Sequence, residues 1–306
     1  MKNANRVDSD IELTRHHDAW RGSFQLMAST CEVHLRVSDE VQARTLIAKC
    51  WRETKRIQDK FSRYQPDSAL SVINRTAGTS RQVDDEIIAL LNYADALHKL
   101  SGGLFDISSG VLRHLWPFGS DRLRHQTSNI PDEGDIQAAL KKVGWSKVQW
   151  QAPELLLPQG MELDFGGIGK EYAVDRVAQT IAAEFDGEFL VNFGGDCFCL
   201  GSKQAPWHIA IESTKKSGEA CSTYSLISGG IATSGTTKRF IELNGKRYGH
   251  ILNPKLGMPI EGAPLSVTVA GDSCMAAGAI STLAMLQGKN AEAFLNEQGV
   301  DSHIIR

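Results

Sequence analysis

Hydrophobic and polar positions change period several times along the chain. In a strand-like stretch beginning at Phe24, Cys31, Val33, Leu35 and Val37 alternate with polar neighbours, the two-residue period of a half-buried strand. From about Ser38 to Phe61 the period becomes helical: Leu46, Ile47, Cys50, Ile57 and Phe61 share one stripe, with Lys and Arg on the other face. Leu70, Val72 and Ile73 lead to turn signals at Asn74 and Gly78. A second helix is predicted from about Asp84 to Leu100, with acids in its first turn, Leu90, Leu91, Ala94 and Leu97 buried, and Ser101-Gly102-Gly103 as its stop. Leu104 to Gly119 is irregular, aromatic and rich in small residues, and Asp121 to Asn129 is polar. A short helix over Asp132 to Lys142 and strands over Val148 to Trp150 and Leu155 to Leu157 follow.

The second half is richer in strands. Phe189 to Phe193 reads as a buried strand, continued after Gly194-Gly195-Asp196 by Cys197 to Gly201. Trp207, Ile209 and Ile211 alternate, as do Leu265, Val267 and Val269. Asn244-Gly245, after a strand from Lys238 to Leu243, signals a hairpin. Ala276 to Gln287 reads as an apolar helix and Ala291 to Glu297 as a short last one. Strands interspersed with helices, without regular β-α alternation, predict an α+β fold. The expected organisation is a loose polar lead-in over residues 1–20 and one compact domain over 21–306, mostly antiparallel sheet with packed helices.

Composition narrows the classes of function. With 306 residues, 42% hydrophobic and 23% charged, the chain can bury a large core. A formal charge of −3 argues against a broad nucleic-acid surface, so any bound polyanion should be small and local. There is no apolar h-region near the N-terminus and no run of 18 apolar residues, so the expectation is a cytoplasmic protein without a membrane segment, if the sequence is complete. The six cysteines show neither zinc spacing nor a disulfide framework, and reduced thiols are expected.

The stretch from Met161 to Val177, MELDFGGIGKEYAVDRV, carries the candidate chemistry. A short apolar run ends at Asp164, Gly166, Gly167 and Gly169 follow, and Val174, Val177, Ala178 and Ile181 recur at helical spacing: strand, tight turn, helix. Bare backbone N–H groups and the positive end of a helix dipole can there meet a phosphate. A Walker loop fails at Asp164 and Glu171, and a dinucleotide fingerprint from Gly167 fails at Tyr172. A phosphate site of another kind and a glycine turn without a ligand both remain open at this point.

Five stretches in order carry a resemblance: Met27-Ala28-Ser29-Thr30; Leu104-Phe105-Asp106 with Trp116-Pro117-Phe118-Gly119; Asp164 to Asp175; Val191 to Asp196; and Ala232-Thr233-Ser234-Gly235 followed by His250-Ile251-Leu252-Asn253-Pro254. Together they resemble the FAD:protein FMN transferases of the ApbE family. The resemblance covers about residues 24 to 290. It implies a single T-fold-like α+β domain that binds FAD and Mg²⁺, transfers FMN to a Thr or Ser hydroxyl of a partner flavoprotein and releases AMP. Carried over by position, Met27, Tyr64, Leu104, Phe105, Asp106, Asp164, Lys170 and Ile251 are candidate FAD contacts, and His250 is a candidate proton shuttle. Gly167, through its backbone oxygen, and Thr282 are candidate metal ligands.

The same resemblance marks departures. Ala28 and Ser29 replace Gly-Thr, Thr236 and Thr237 replace a polar-aromatic pair, and Gly169 and Glu171 replace small and glycine residues around Lys170. The metal-binding Asp expected four residues before Thr282 is Gly278, which offers no side-chain oxygen. Asp272 from the preceding loop, or Cys274 on the same helical face, is a candidate substitute, although a thiolate suits softer metals than Mg²⁺. An FAD pyrophosphatase, a flavin-binding module without catalysis and a structural protein without flavin are the alternatives.

Overall fold

A computed structural model describes residues 10–116, 118, 130–216 and 218–306. Eight strands form the main sheet: β1 (Glu12–His16), β2 (Ala19–Leu26), β3 (Ser29–Leu35), β4 (Phe189–Phe193), β5 (Asp196–Leu200), β6 (Ser228–Gly235), β7 (Ser266–Gly271) and β8 (Ser302–Ile305). They lie side by side in chain order, every neighbouring pair antiparallel. The hairpin registers fix the turns: Leu26 pairs with Ser29 and Phe193 with Asp196, so Met27-Ala28 and Gly194-Gly195 are two-residue loops. Because β3 pairs with β4 through Cys31 and Phe193, both loops lie at the same end of the sheet.

The connection from β3 to β4 holds α1 (Glu40–Phe61), α2 (Ala69–Arg75), α3 (Asp85–Leu100), α4 (Glu133–Leu140) and α5 (Gly169–Ala182). A three-stranded sheet of Arg81–Gln82, Glu154–Leu156 and Gln149–Gln151 lies in the same connection. Helices α6 (Cys274–Leu286) and α7 (Ala291–Gln298) join β7 to β8. Side-chain caps start several helices where the sequence supplies an acceptor: Asp39 for α1, Ser68 for α2, Asp84 for α3 and Ser273 for α6.

The alternating residues Cys31, Val33 and Leu35 are wholly buried, as are Ile47, Ile57, Val174, Val177 and Ile181 from the helical stripes, and all share one core. Removing such side chains from water is worth about 1.5–3 kcal/mol each. Two glycines set the helix-to-sheet distance. A Cβ on Gly22 would strike Ile47 of α1, and one on Gly230 would strike the backbone of Ser273 and Cys274 where α6 begins.

The fold class is as expected, and several local expectations change. Residues 12–16 of the expected lead-in form β1, and β2 begins at Ala19, because Glu12 to His16 pairs residue for residue with Ala19 to Ser23. The strand expected from Phe24 onward is two strands folded at Met27-Ala28. Leu70, Val72 and Ile73 lie in the short helix α2, and β8 had no expected counterpart. The expected features at Pro117, Gly119 and Asp121 to Asn129 lie outside the described residues. The six cysteines are free, and no helix among the described residues is long and apolar enough to cross a membrane.

Candidate functional site

The central turn is held from both sides. The Asn74 side chain donates to the Leu163 carbonyl at 2.9 Å and accepts the Leu163 N–H at 2.7 Å, while the Asp164 N–H donates to the Ile107 carbonyl at 2.8 Å. Asp164 then bends the chain by accepting the Gly166 N–H at 2.9 Å, and its other oxygen pairs with Arg63. Helix α5 starts at Gly169 without a side-chain cap, so the positive end of its dipole is left for another acceptor. The Phe105 ring lies 3.2 Å from the place where a Cβ of Gly167 would sit, so two of the sequence candidates meet here.

Arg63 links these residues to a second group. Its guanidinium donates to the Tyr64 hydroxyl at 2.8 Å, and Tyr64 itself is 78% exposed. His250 feels the charges of both Arg239 and Arg63. Burial first, and then those charges, push its pKa down to about 4, so the imidazole is neutral at physiological pH. His250 Nδ1 lies 3.2 Å from the Arg239 carbonyl, which can only accept, so Nδ1 carries the proton and Nε2 keeps its lone pair. Phe118 meets the His250 ring edge-on at 6.4 Å and stacks on Trp116 at 5.9 Å.

A third group gathers at the hairpin end of the sheet. Met27 and Ala28 both hold a φ of +55°, a left-handed conformation that non-glycine residues adopt at a cost. The Met27 N–H donates to Gln58 Oε1 at 2.7 Å. Lys170 Nζ contacts Asp196 at 2.6 Å, and Asp196, 2% exposed, also accepts the Thr233 N–H at 3.1 Å. Burial opposes the charge on Lys170, but the Asp196 carboxylate more than offsets it and the pKa is raised. Lys170 is therefore held by a buried partner rather than solvated. Of the remaining candidates, Leu104 and Ile251 pack partly buried against the core. The Asp106 carboxylate is turned inward, accepting from Ser108 N–H at 2.8 Å, Ser108 Oγ at 2.6 Å and Trp145 N–H at 2.9 Å, so it shapes the loop.

Helices α5 and α6 meet in a regular register. Asp175 accepts the N–H groups of Cys274 and Met275, both at 2.9 Å, at the start of α6. One turn earlier on α5, Glu171 lies against Gly278, one turn later on α6, with its Cγ 2.6 Å from the place of the missing Cβ. Thr282 lies one turn beyond Gly278 on the same face of α6, and the Gly166–Gly169 turn immediately precedes α5. The Thr282 hydroxyl lies 2.9 Å from Ser234 Oγ on β6, which lies 2.8 Å from Ser281 Oγ.

The two side chains considered in place of an Asp at 278 lie at or before the start of α6. Cys274 is wholly buried, its thiol pushed up by that burial, and it lies about 12 Å before Thr282 along the axis at 1.5 Å per residue. Asp272, in the loop before α6, is exposed in a cleft of about 520 Å³ lined also by Asp175, Arg176 and Ser273. What the sequence reading missed is Glu171 itself. It is 9% exposed, Oε2 has no hydrogen-bond partner, and burial together with the Asp196 charge pushes its pKa up to about 8. Arg63, which no periodicity singles out, and Ser234, which stood in the Ala232–Gly235 stretch without a role, contact the candidate residues Asp164 and Thr282.

An uncapped helix N-terminus after a glycine turn is of a kind suited to positioning a phosphate, and Arg63, paired with Asp164 at this turn, contacts the exposed Tyr64 and acts on the neutral His250. The ApbE family model matches residues 27–304. An FAD:protein FMN transferase of Klebsiella pneumoniae is 30% identical over 277 residues, 87% of this chain and 78% of that one. One of Salmonella typhimurium is 31% identical, covering 78% of this chain and 71% of its own. Among solved structures, the ApbE protein of Thermotoga maritima superposes with a TM-score of 0.84 at 28% identity, covering 94% of each chain. The flavinyl transferase ApbE of Pseudomonas stutzeri gives 0.81 at 27% identity, covering 97% of this chain and 92% of that one.

Proposed function

The chain belongs to the ApbE family and is an FAD:protein FMN transferase, and we propose that the surface between the Gly166–Gly169 turn, Lys170 and Thr282 is where it holds the diphosphate of FAD. The observation that supports this placement is the α5–α6 contact, with Asp175 against the start of α6 and Glu171 against Gly278, one turn before Thr282, while the uncapped turn directly precedes α5. On this reading Met27, Tyr64, Leu104, Phe105, Asp164 and Ile251 border the nucleotide, and Asp106 holds the Phe105 loop in place.

The reaction needs positioning more than a covalent nucleophile. The acceptor's Thr or Ser oxygen attacks the phosphorus on the FMN side, a phosphoester bond forms, the bond to the bridging oxygen breaks, and AMP leaves. The hydroxyl proton needs a base, and His250 Nε2 offers a free lone pair. The α5 N-terminus faces the negative charge of the phosphates, with Lys170, paired to Asp196, beside it. The residues present suit Mg²⁺, a hard ion: the Gly167 carbonyl, the Thr282 hydroxyl and a carboxylate oxygen without a hydrogen-bond partner are all oxygen donors. Bound there, the ion would neutralise charge on the phosphate oxygens.

Purified protein incubated with FAD, Mg²⁺ and a candidate acceptor flavoprotein should give an acceptor carrying covalent flavin, read by intact mass. Free FMN and AMP without any adduct would instead make the chain an FAD pyrophosphatase. Tight FAD binding without turnover would make it a flavin-binding module.

A further inference from the structure

We propose that Glu171 supplies the carboxylate of a divalent-cation site in this chain, reaching from α5 into the space that a side chain at Gly278 of α6 would fill. The inference rests on the transferase reading for the identity of the site. Its evidence is geometric. The Glu171 side chain occupies the position of the missing Cβ, with Cγ 2.6 Å and Cδ and Oε1 both 3.1 Å from it. It therefore lies on the face of α6 that Thr282 shares one turn later. Residues 171 and 278, where the resemblance implies a glycine and an Asp, touch each other.

Two further observations point to a cation. Glu171 is 9% exposed and Oε2 lacks a hydrogen-bond partner, which for a buried carboxylate oxygen is costly unless a ligand completes it. Around it, Asp175 and Asp196 carry two more carboxyl groups, whereas Lys170 is the one cation acting on Glu171 among its principal electrostatic neighbours. Lys170 is itself bound to Asp196, so the pocket is short of positive charge. Among the described residues no three His, Cys, Asp or Glu side chains converge to hold a metal. The site that results has one carboxylate, a hydroxyl and a backbone oxygen, a donor set that leaves positions for water and phosphate, as Mg²⁺ prefers. Cys274 Sγ lies 3.9 Å from the Ile231 carbonyl, and burial holds its thiol well above the ordinary value, which disfavours a thiolate for a softer metal.

The test uses Mn²⁺ as probe, its free concentration read by electron paramagnetic resonance, on the full chain with and without saturating FAD. Glu171→Gln keeps the shape of the side chain and should weaken Mn²⁺ binding at least tenfold. The reciprocal exchange, Glu171→Gly with Gly278→Asp, moves the carboxylate back to α6 and should restore binding to within about threefold of the parent. Parent-like affinity in Glu171→Gln, or an exchanged variant no tighter than Glu171→Gly alone, would overturn the proposal. Flavin fluorescence in the same samples reports FAD binding separately. A parent that flavinylates its acceptor while Mn²⁺ ignores Glu171 sinks only this inference. One that binds Mn²⁺ through Glu171 but never transfers FMN sinks the functional reading instead.

Discussion

Adding a single methyl group at Gly278 tests the α5–α6 contact without involving any ligand. In the parent, the Cβ of Gly278→Ala would sit 2.6 Å from Glu171 Cγ and 3.1 Å from its Cδ. Overpacking of this kind costs about 1–3 kcal/mol. Replacing a glycine inside a helix by alanine returns about 1 kcal/mol, so the net effect in the parent is a loss of about 0–2 kcal/mol. In a Glu171→Gly background the obstacle is gone, and the same substitution should stabilise by about 1 kcal/mol. The sign therefore reverses, with a coupling of about 1–3 kcal/mol between the positions. The assay is thermal unfolding of all four proteins in a chelating buffer, so that metal affinity does not enter; each kcal/mol moves the midpoint by about 2–4 °C in a chain of this size. Equal shifts of Gly278→Ala in both backgrounds would show that Glu171 does not occupy the space over Gly278, and the argument for a displaced carboxylate would fall with it.

Metal-free stability should also depend on pH through Glu171. Its pKa in the folded state, about 8, lies above the ordinary 4.5, so between those values the unfolded chain has released a proton that the folded chain keeps. Stability from this group is then fully present below about pH 4.5 and is lost as pH rises towards 8; Glu171→Gln should abolish that component, and denaturant midpoints that rise across the window would refute it. Ala28→Gly should stabilise by about 0.5–1 kcal/mol, because glycine holds a φ of +55° without the Cβ clash although it adds freedom to the unfolded chain; an unchanged or lowered melting temperature would show the turn is not strained. With its pKa pushed down to about 4, His250 stays neutral through the physiological range, so the initial flavinylation rate at saturating FAD should show no histidine-like fall between pH 7.5 and 5.5. A half-drop near pH 6.5 that disappears in His250→Gln would contradict the burial of that imidazole.

Periodicity found most of the architecture because burial here follows the pleat and the helical turn closely. Cys31, Val33 and Leu35 face the core at alternate positions, and Leu46, Ile47, Cys50 and Ile57 do so at helical ones. It missed β1 and β8, which sit at the two edges of the sheet: Glu12–His16 carries no fully buried side chain and Ser302–Ile305 is half-buried throughout, so neither shows an inside and an outside. The site was legible where its residues are consecutive, as in Asp164 to Lys170, and opaque where it depends on partners far along the chain. That Lys170 is neutralised by Asp196, or that Arg63 reaches Asp164, follows from the crossing of helix and sheet rather than from any local pattern.

Glu171 and Gly278 show why that limit matters for function. Taken position by position, Gly278 offers no side-chain oxygen, and Glu171 only adds a charge beside a glycine turn. A cation responds to oxygen atoms at a distance, not to the helix from which they project. Because α5 and α6 run antiparallel and in contact, a side chain three bonds longer than alanine on one helix covers a bare Cα on the other, provided the second residue has no Cβ. Each substitution is therefore unfavourable alone, the glutamate colliding with any larger residue at 278 and the glycine leaving the site without a carboxylate, and tolerable together. The pair should accordingly vary as one unit among relatives, with glutamate at the first position only where glycine stands at the second, and that joint dependence separates a relocated ligand from two unrelated losses.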